Sequence, residues 1–326
     1  MATPTTSGSI RAVVVDPAAP GRLGLRAVAP PVPGPGDALV RVAAVSLNRG
    51  EVRRAATAEA GWRPGWDLAG TVEAAAADGS GPAAGARVVG LLRSGAWAEL
   101  VAVPAGFLAE VPPEVSFAQA ATLPVAGLTA LHALAKGGSL LGRTVLVTGA
   151  SGGVGHLAVQ LARGAGARVV GLVRQERYVD FVRELGAHEV VAGGDGGAAA
   201  AHGPYHLIVE AVGGAVLAQA LQMLAPDGTC VSFGASGGQP ATLAASPFGG
   251  TGGASLYGLQ MFHELAREPA SVGLARLARL VAEGRLRPHV AIEAPWTEVG
   301  AVAQQLLDRR FPGKAVLHLQ DGPAVP

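Results

Sequence analysis

Cysteine is nearly absent from this chain of 326 residues, with Cys230 the only one. That excludes an internal disulfide framework and any zinc site built on several cysteines. A reduced, cytoplasmic compartment fits. Lysine is almost as scarce, at Lys136 and Lys314 alone, so arginine supplies the other 23 of the 25 basic side chains. Charged residues make up only 15% and the formal net charge is +1. Near-neutrality argues against nucleic acid or an anionic membrane surface as the main partner. No apolar run approaches the length of about 18 residues that a membrane helix needs. Met1 to Ser9 is polar and lacks the apolar core of a secretory signal. No histidine precedes His132. The later ones show no metal spacing apart from His202 and His206, which are expected to be solvent-exposed. No internal repeat is present.

What is abundant is apolar and small. Hydrophobic residues reach 49%, enough for a sizeable core, and the length suggests about two domains. The 48 glycines fall between apolar runs, so they read as turns and close backbone approaches.

The first third predicts a β domain. Short apolar runs recur at Ile10 to Val15, Ala38 to Val45, Gly70 to Ala74, Arg87 to Leu92 and Ala96 to Val103, with no long helical period before Phe117. After Ser116, a helix cap, helices are expected at Phe117 to Ala121 and Gly127 to Lys136. Strands and helices then alternate. Strands are predicted at Thr144 to Thr148, Arg168 to Val173, Glu189 to Ala192, His206 to Ala211 and Thr229 to Phe233. Helices are predicted at Val154 to Arg163, Tyr178 to Leu185 and Leu217 to Leu224. This alternation predicts an α/β unit with a doubly wound parallel sheet. A helix at Val272 to Glu283, a β piece at His289 to Ile292, a helix at Trp296 to Asp308 and a strand at Ala315 to Leu319 close the chain.

The chemistry-bearing stretch follows Thr144 to Thr148: Gly149, Ala150, Ser151, Gly152, Gly153, Val154, Gly155. An apolar strand runs straight into glycines, and the glycines run straight into a helix. Bare backbone can then approach a pyrophosphate, which the helix N-terminus attracts. The same residues contain a G-x-S-x-G pattern around Ser151, which hydrolases use for a nucleophile. That pattern recurs around Ser236, however, and His289 and His318 sit in no triad context. A short-chain dehydrogenase would need a tyrosine four residues before a lysine. His132 and Arg310 stand at those places. A phosphate-binding P-loop would need a Gly-Lys-Ser/Thr run, which is missing. Arg174 stands at the end of the second strand, where NAD enzymes place an acid. With Arg177 and Tyr178 nearby, an arginine there suits the 2′-phosphate of NADPH. A solvated helix start with a routine Arg and Glu pair is the alternative.

Further motifs span the chain: Ser46-Leu47-Asn48, Gly65-Trp66-Asp67-Leu68-Ala69-Gly70, Gly95-Ala96-Trp97, Leu123-Pro124-Val125-Ala126-Gly127, Val212-Gly213-Gly214 and Phe311-Pro312-Gly313-Lys314. In this order they resemble a zinc-independent medium-chain dehydrogenase/reductase of the quinone oxidoreductase type. The resemblance implies a GroES-like β domain plus a Rossmann doubly wound parallel sheet. The expected limits are 1–125 for the GroES-like substrate domain, 126–265 for the NADP-binding domain, and 266–326 for the return to the first. The resemblance further implies hydride transfer from NADPH to a quinone or enone, without metal, in the cleft between domains.

By the same resemblance, Asn48 lies near nicotinamide and substrate, Thr129 beside the nicotinamide, and Gly152, Gly153 and Val154 at the pyrophosphate. Val212, Gly213, Phe233 and Gly234 face the cofactor, and Lys314 approaches the nicotinamide end. Asn48 could equally cap a turn, and Lys314 could be an ordinary residue opening a strand. Trp62 and Trp66 are candidates to line a pocket for flat substrates, while Trp97 fits a core better. The loop from Ala192 to Gly203 is not expected to select substrate. The chain departs from the family pattern between Arg49 and Ala60, which has no tyrosine, so no general acid is named. A homodimer paired around Thr251 to Gly258 is expected. Alternatives are an enoyl-thioester or polyketide-tailoring reductase, an NADPH-binding protein with little catalysis, and a zinc alcohol dehydrogenase.

Overall fold

A computed structural model describes residues 8–319, so most of the Met1 to Ser9 segment lies outside the described residues. In chain order the strands are β1 (Ile10–Val15), β2 (Leu23–Val28), β3 (Asp37–Ser46), β4 (Asp67–Ala74), β5 (Arg87–Leu91), β6 (Leu100–Pro104), β7 (Leu108–Glu110), β8 (Thr144–Thr148), β9 (Arg168–Val173), β10 (Glu189–Ala192), β11 (Tyr205–Glu210), β12 (Leu224–Ser232), β13 (Ser255–Gly258), β14 (Val290–Pro295) and β15 (Lys314–His318). The α-helices are α1 (Arg49–Thr57), α2 (Phe117–Ala121), α3 (Pro124–Ala135), α4 (Gly155–Gly164), α5 (Val179–Glu184), α6 (Gly214–Gln222), α7 (Met261–Glu264), α8 (Ala270–Ala282) and α9 (Val299–Leu307).

The chain divides into two compact units. The described part of the first covers residues 8–125, 268–284 and 288–319. Its main sheet runs β14-β15-β3-β4-β5-β7, with β6 paired to β3, and β1 and β2 form a separate antiparallel ladder. All the pairings of the main sheet are antiparallel except β14 with β15. Alternate residues of β3 and β4 face one core, in which Val40, Val42, Leu68, Trp97, Trp296 and Leu317 are buried. This is the GroES-like sheet.

The second unit covers 126–267 and 285–287. Its six strands lie in the order β10-β9-β8-β11-β12-β13 and every pairing is parallel. Numbered within the unit, that is 3-2-1-4-5-6, the Rossmann order. Val145, Leu146 and Val147 are buried on both faces of the sheet, which explains the unbroken apolar run of β8. The order reverses between β8 and β11, and ligands bind at such switch points, beyond the carboxyl ends of the strands.

Several sequence expectations are corrected. A helix, α1, does precede Phe117. Its only buried side chains are Glu51, Val52 and Ala55, too few to give an apolar period. The strand expected at Ala96 to Val103 begins at Leu100, because residues 96–98 make turn bonds and one isolated bridge to β1. The helix expected to reach Leu224 stops at Gln222, and Leu224 opens β12. Trp296 to Glu298 is a 3-10 turn, and α9 starts at Val299. His202 and His206 are half-buried rather than exposed. His206 Nδ1 accepts the Thr144 N–H at 3.1 Å, which draws the ring inward.

Candidate functional site

Two groups of side chains carry the candidate chemistry, one in each unit. In the second unit β8 ends in a tight glycine turn. Gly149 has φ +59°, a conformation that favours glycine, and its carbonyl accepts the Gly152 N–H at 2.9 Å. A Cβ built on Gly152 would lie 3.2 Å from that oxygen, and one on Gly155 would overlap it. The turn therefore cannot close around larger residues at Gly155, which is buried. Ser151, Gly153 and Val154 are half-buried, Gly152 is exposed, and Val154 immediately precedes α4. The bare, accessible backbone meets a helix N-terminus, which fits a dinucleotide pyrophosphate.

Glu210, the last residue of β11, organises the neighbouring loops and is not apparent as a site residue in the sequence. It is buried, and its Oε1 accepts Val212 N–H at 2.7 Å, Gly213 N–H at 2.9 Å and Thr148 Oγ1 at 3.2 Å. Ser232 Oγ donates to Oε2 at 3.4 Å. Burial raises its pKa, and the bonds from Gly213, Val212, Thr148 and Ser232 oppose that rise. Val212, Gly213, Phe233 and Gly234 thus lie just past the ends of β11 and β12, as residues of the loops that Glu210 fastens.

Arg174 and Arg177 are exposed beyond β9, and the Arg177 guanidinium lies over the Tyr178 ring at 4.8 Å. Among the described residues Arg174 has no ion-pair partner, so the routine Arg and Glu pairing is not formed there. Thr129 is buried in α3.

The first unit brings together residues far apart in sequence. Lys314, at the start of β15, is 2% exposed. Its Nζ donates to Leu47 O at 2.9 Å, to Asn48 Oδ1 at 2.6 Å and to Asp67 Oδ2 at 3.4 Å. All three ammonium hydrogens are thereby used. Asp67 Oδ2 also accepts Ser46 Oγ at 2.7 Å and Asn48 Nδ2 at 2.8 Å, and Oδ1 accepts Val125 N–H at 2.9 Å.

Asn48 precedes α1. Glu51, three residues on, accepts both Asn48 N–H at 2.8 Å and Asn48 Nδ2 at 2.9 Å through Oε1. Both amide hydrogens of Asn48 point at carboxyl oxygens and its own oxygen at an ammonium, which fixes its orientation. With its donors spent, Asn48 offers a ligand at most an acceptor position. Asn48 is the N-cap residue of α1, and its backbone N–H is held by Glu51.

Sequence reasoning missed Asp67 and Glu51. The signal for Glu51 was present, since an Asn followed three residues later by Glu is the capping-box pattern. Burial, and then the neighbouring charge of Asp67, push the Glu51 carboxyl up to about 8, against the opposing bonds from Asn48 and the charge of Lys314. Its Oε2 is buried without a hydrogen-bond partner.

Trp97 is core. Trp62 packs on the same core under Arg54, which lies 4.8 Å from its ring centre. Trp66 is half-buried against α1, where a Cβ on Gly50 would lie 2.8 Å from its ring.

A GroES-like sheet together with a Rossmann sheet bearing a glycine turn is a two-unit architecture that hosts many activities, so the comparisons carry the assignment. The sequence matches the alcohol dehydrogenase GroES-like domain over residues 34–113 and the zinc-binding dehydrogenase model over 153–275, together well over half of the chain. A chloroplast envelope quinone oxidoreductase homolog of Arabidopsis thaliana is 38% identical over 189 residues, 52% of this chain and 57% of that protein. The spectinabilin polyketide synthase protein NorB of Streptomyces orinoci is 32% identical over 87% of this chain, which spans 13% of its length. The acryloyl-coenzyme A reductase of Metallosphaera sedula is 28% identical over 68% of this chain and 65% of its own. Among solved structures, a mycobacterial protein complexed with NADPH superposes with a TM-score of 0.84 at 26% identity, covering 95% of this chain and 100% of that one. A 2-haloacrylate reductase superposes with a TM-score of 0.82 at 26% identity, covering 95% and 99%. The chain belongs to the medium-chain dehydrogenase/reductase family, in its quinone oxidoreductase type.

Among the described residues no helix is long and apolar enough to cross a membrane.

Proposed function

We propose that this protein is an NADPH-dependent reductase of quinones or of activated carbon–carbon double bonds. The observation that carries the reading is the glycine turn at the switch point of the Rossmann sheet, which leaves Gly152 exposed and packs so closely against α4 that a side chain at Gly155 would collide with the Gly149 carbonyl. When bound there, the reduced nicotinamide supplies a hydride to the quinone or to the β-carbon of an enone.

The chain's own residues bind and orient. The bare backbone at Gly152, Gly153 and Val154, with the α4 N-terminus, takes the pyrophosphate. Arg174 and Arg177, exposed beyond β9, offer guanidinium forks to a 2′-phosphate, and Tyr178 supports Arg177. Glu210 keeps Val212 and Gly213 in place, and Phe233, Gly234 and Thr129 complete the cofactor surface. Asn48 is a fixed acceptor beside the substrate. Lys314 supplies the cation that Asn48 and Asp67 share, which supports a chemistry without zinc. The quinone oxidoreductase relatives, the NADPH-complexed neighbour and the acryloyl-coenzyme A reductase support the same assignment.

The match to a polyketide synthase over 87% of this chain favours enoyl thioesters as a second substrate reading. The exposed edge strand β13, on which Leu256 is 43% exposed, is where a second copy would pair in a homodimer.

Steady-state oxidation of NADPH and NADH across quinones, enones and enoyl thioesters tests the reading. Turnover with a strong NADPH preference is expected. Tight NADPH binding with no turnover on any of them points to a binding protein instead.

A further inference from the structure

The segment from Gly61 to Trp66 joins α1 to β4, and it is held rigidly. The carbonyls of Pro64, Gly65 and Trp66 accept the N–H groups of Gly95 at 3.1 Å, Ala96 at 3.1 Å and Leu92 at 2.9 Å. Gly65 has φ +113°, and a Cβ there would overlap the Trp97 backbone nitrogen, so the two segments cross at contact distance. This fixed backbone carries Arg63.

Arg63 is unlike its neighbours. Its side chain is half-buried and its Nε is closed off from solvent. Among the described residues, none hydrogen-bonds or ion-pairs with its guanidinium. Desolvation alone acts on its pKa, which it lowers. Structural arginines elsewhere in the unit do find acceptors. Arg49 reaches the carbonyls of Leu306 and Leu307, Arg87 those of Pro112 and Val115, and Arg11 pairs with Glu99. A partly desolvated cation with no counter-charge is unfavourable unless an anion arrives.

The surroundings agree. Arg49, Arg53, Arg54 and Arg63 stand between residues 49 and 66, against only Glu51 and Glu59, and Arg93 lies in the facing loop. Glu51, held at about 8, carries little charge at neutral pH. The chain as a whole nets only +1, so this basicity is local. Trp66, three residues from Arg63, packs over Gly50, which is two residues from Asn48. A flat ring, a guanidinium fork and the Asn48 network thus lie on adjoining stretches of backbone.

We propose that Arg63 recognises an anionic group of the substrate, a carboxylate or the phosphate of a thioester carrier, so that the protein acts on acidic enones or enoyl thioesters. This rests on the reductase reading above and narrows its substrate class. A guanidinium takes either group in a two-point fork.

The test compares the whole protein with its R63Q and R63K variants on four probes. Two are neutral, benzoquinone and a crotonyl thioester of N-acetylcysteamine. Two are anionic, chloroacrylate and crotonyl-coenzyme A. For R63Q, kcat/KM is expected to fall about 10- to 100-fold on an anionic probe, chiefly through KM, and less than about 3-fold on the neutral ones. R63K should recover part of the loss. A loss confined to the coenzyme A thioester assigns a phosphate, and a loss confined to chloroacrylate assigns a carboxylate. Either supports the proposal. Equal losses on neutral and anionic probes, or none on the anionic ones, overturn it. If the unaltered protein oxidises NADPH with no probe, the reductase reading fails on its own. Equilibrium binding of the anionic probes then decides Arg63: binding weakened in R63Q and partly kept in R63K supports it, and unchanged binding overturns it.

Discussion

Replacing Glu51 by glutamine removes a buried titration while leaving an amide oxygen to accept from Asn48. The native carboxyl is held at about 8 against an ordinary 4.5. Between those two values the folded protein binds the proton and the unfolded chain does not. Stability therefore falls as pH rises through this window, and levels off above it. The slope for one proton is about 1.4 kcal/mol per pH unit, and Glu51 alone would account for about 5 kcal/mol. Urea unfolding followed by tryptophan fluorescence reads it directly, because Trp62, Trp66, Trp97 and Trp296 all belong to the first unit, as Glu51 does. The unaltered protein should lose midpoint from pH 5 to pH 8 by at most the equivalent of about 4 kcal/mol. Glu51→Gln should show a flatter profile and be the more stable form at the alkaline end. Parallel profiles, or stability rising with pH only in the unaltered protein, would mean that Glu51 does not take up a proton on folding.

Three more outcomes follow from the same contacts. Lys314→Met leaves Asp67 buried without its cation and should cost about 3–5 kcal/mol, read as a lower urea midpoint in the tryptophan transition. An unchanged midpoint would deny the ion pair its importance. Glu210→Ala leaves the Val212 and Gly213 N–H groups without their acceptor. It should raise KM for NADPH about 10-fold, with a smaller change in KM for the second substrate. Arg174→Ala should raise KM for NADPH about 10- to 100-fold and leave NADH unaffected. A uniform effect on both cofactors would remove the argument for phosphate recognition.

The Rossmann unit was largely legible because its signals are local. Buried parallel strands read as short apolar runs, as Val145 to Val147 shows, and the glycine turn after β8 is contiguous in sequence. The first unit was less legible. Helix α1 buries so little apolar surface that its sequence reads as a charged loop. The strand β2 alternates weakly and its residues are mostly half-exposed. Boundaries failed where a turn and a strand share composition, as at Ala96 to Leu100. The Asn48 network was hidden for a different reason. Asp67 lies 19 positions from Asn48, and Lys314 lies 247 from Asp67, so no window holds the cluster. Each member looks ordinary alone: an N-terminal strand acid, a helix acid, a lysine opening a strand. Only the antiparallel pairing of β15 with β3 brings Lys314 beside Asn48. Glu210 escaped notice likewise, because its four donors come from two other strand ends and the loop after its own.

The proposed reaction moves a hydride from NADPH to an activated acceptor. NADPH carrying deuterium at the transferable position of its nicotinamide, supplied with a crotonyl thioester in ordinary water, tests it most directly. A saturated product with one deuterium at the β-carbon, found by mass spectrometry, is expected. A product without deuterium, or label lost to water, would contradict it.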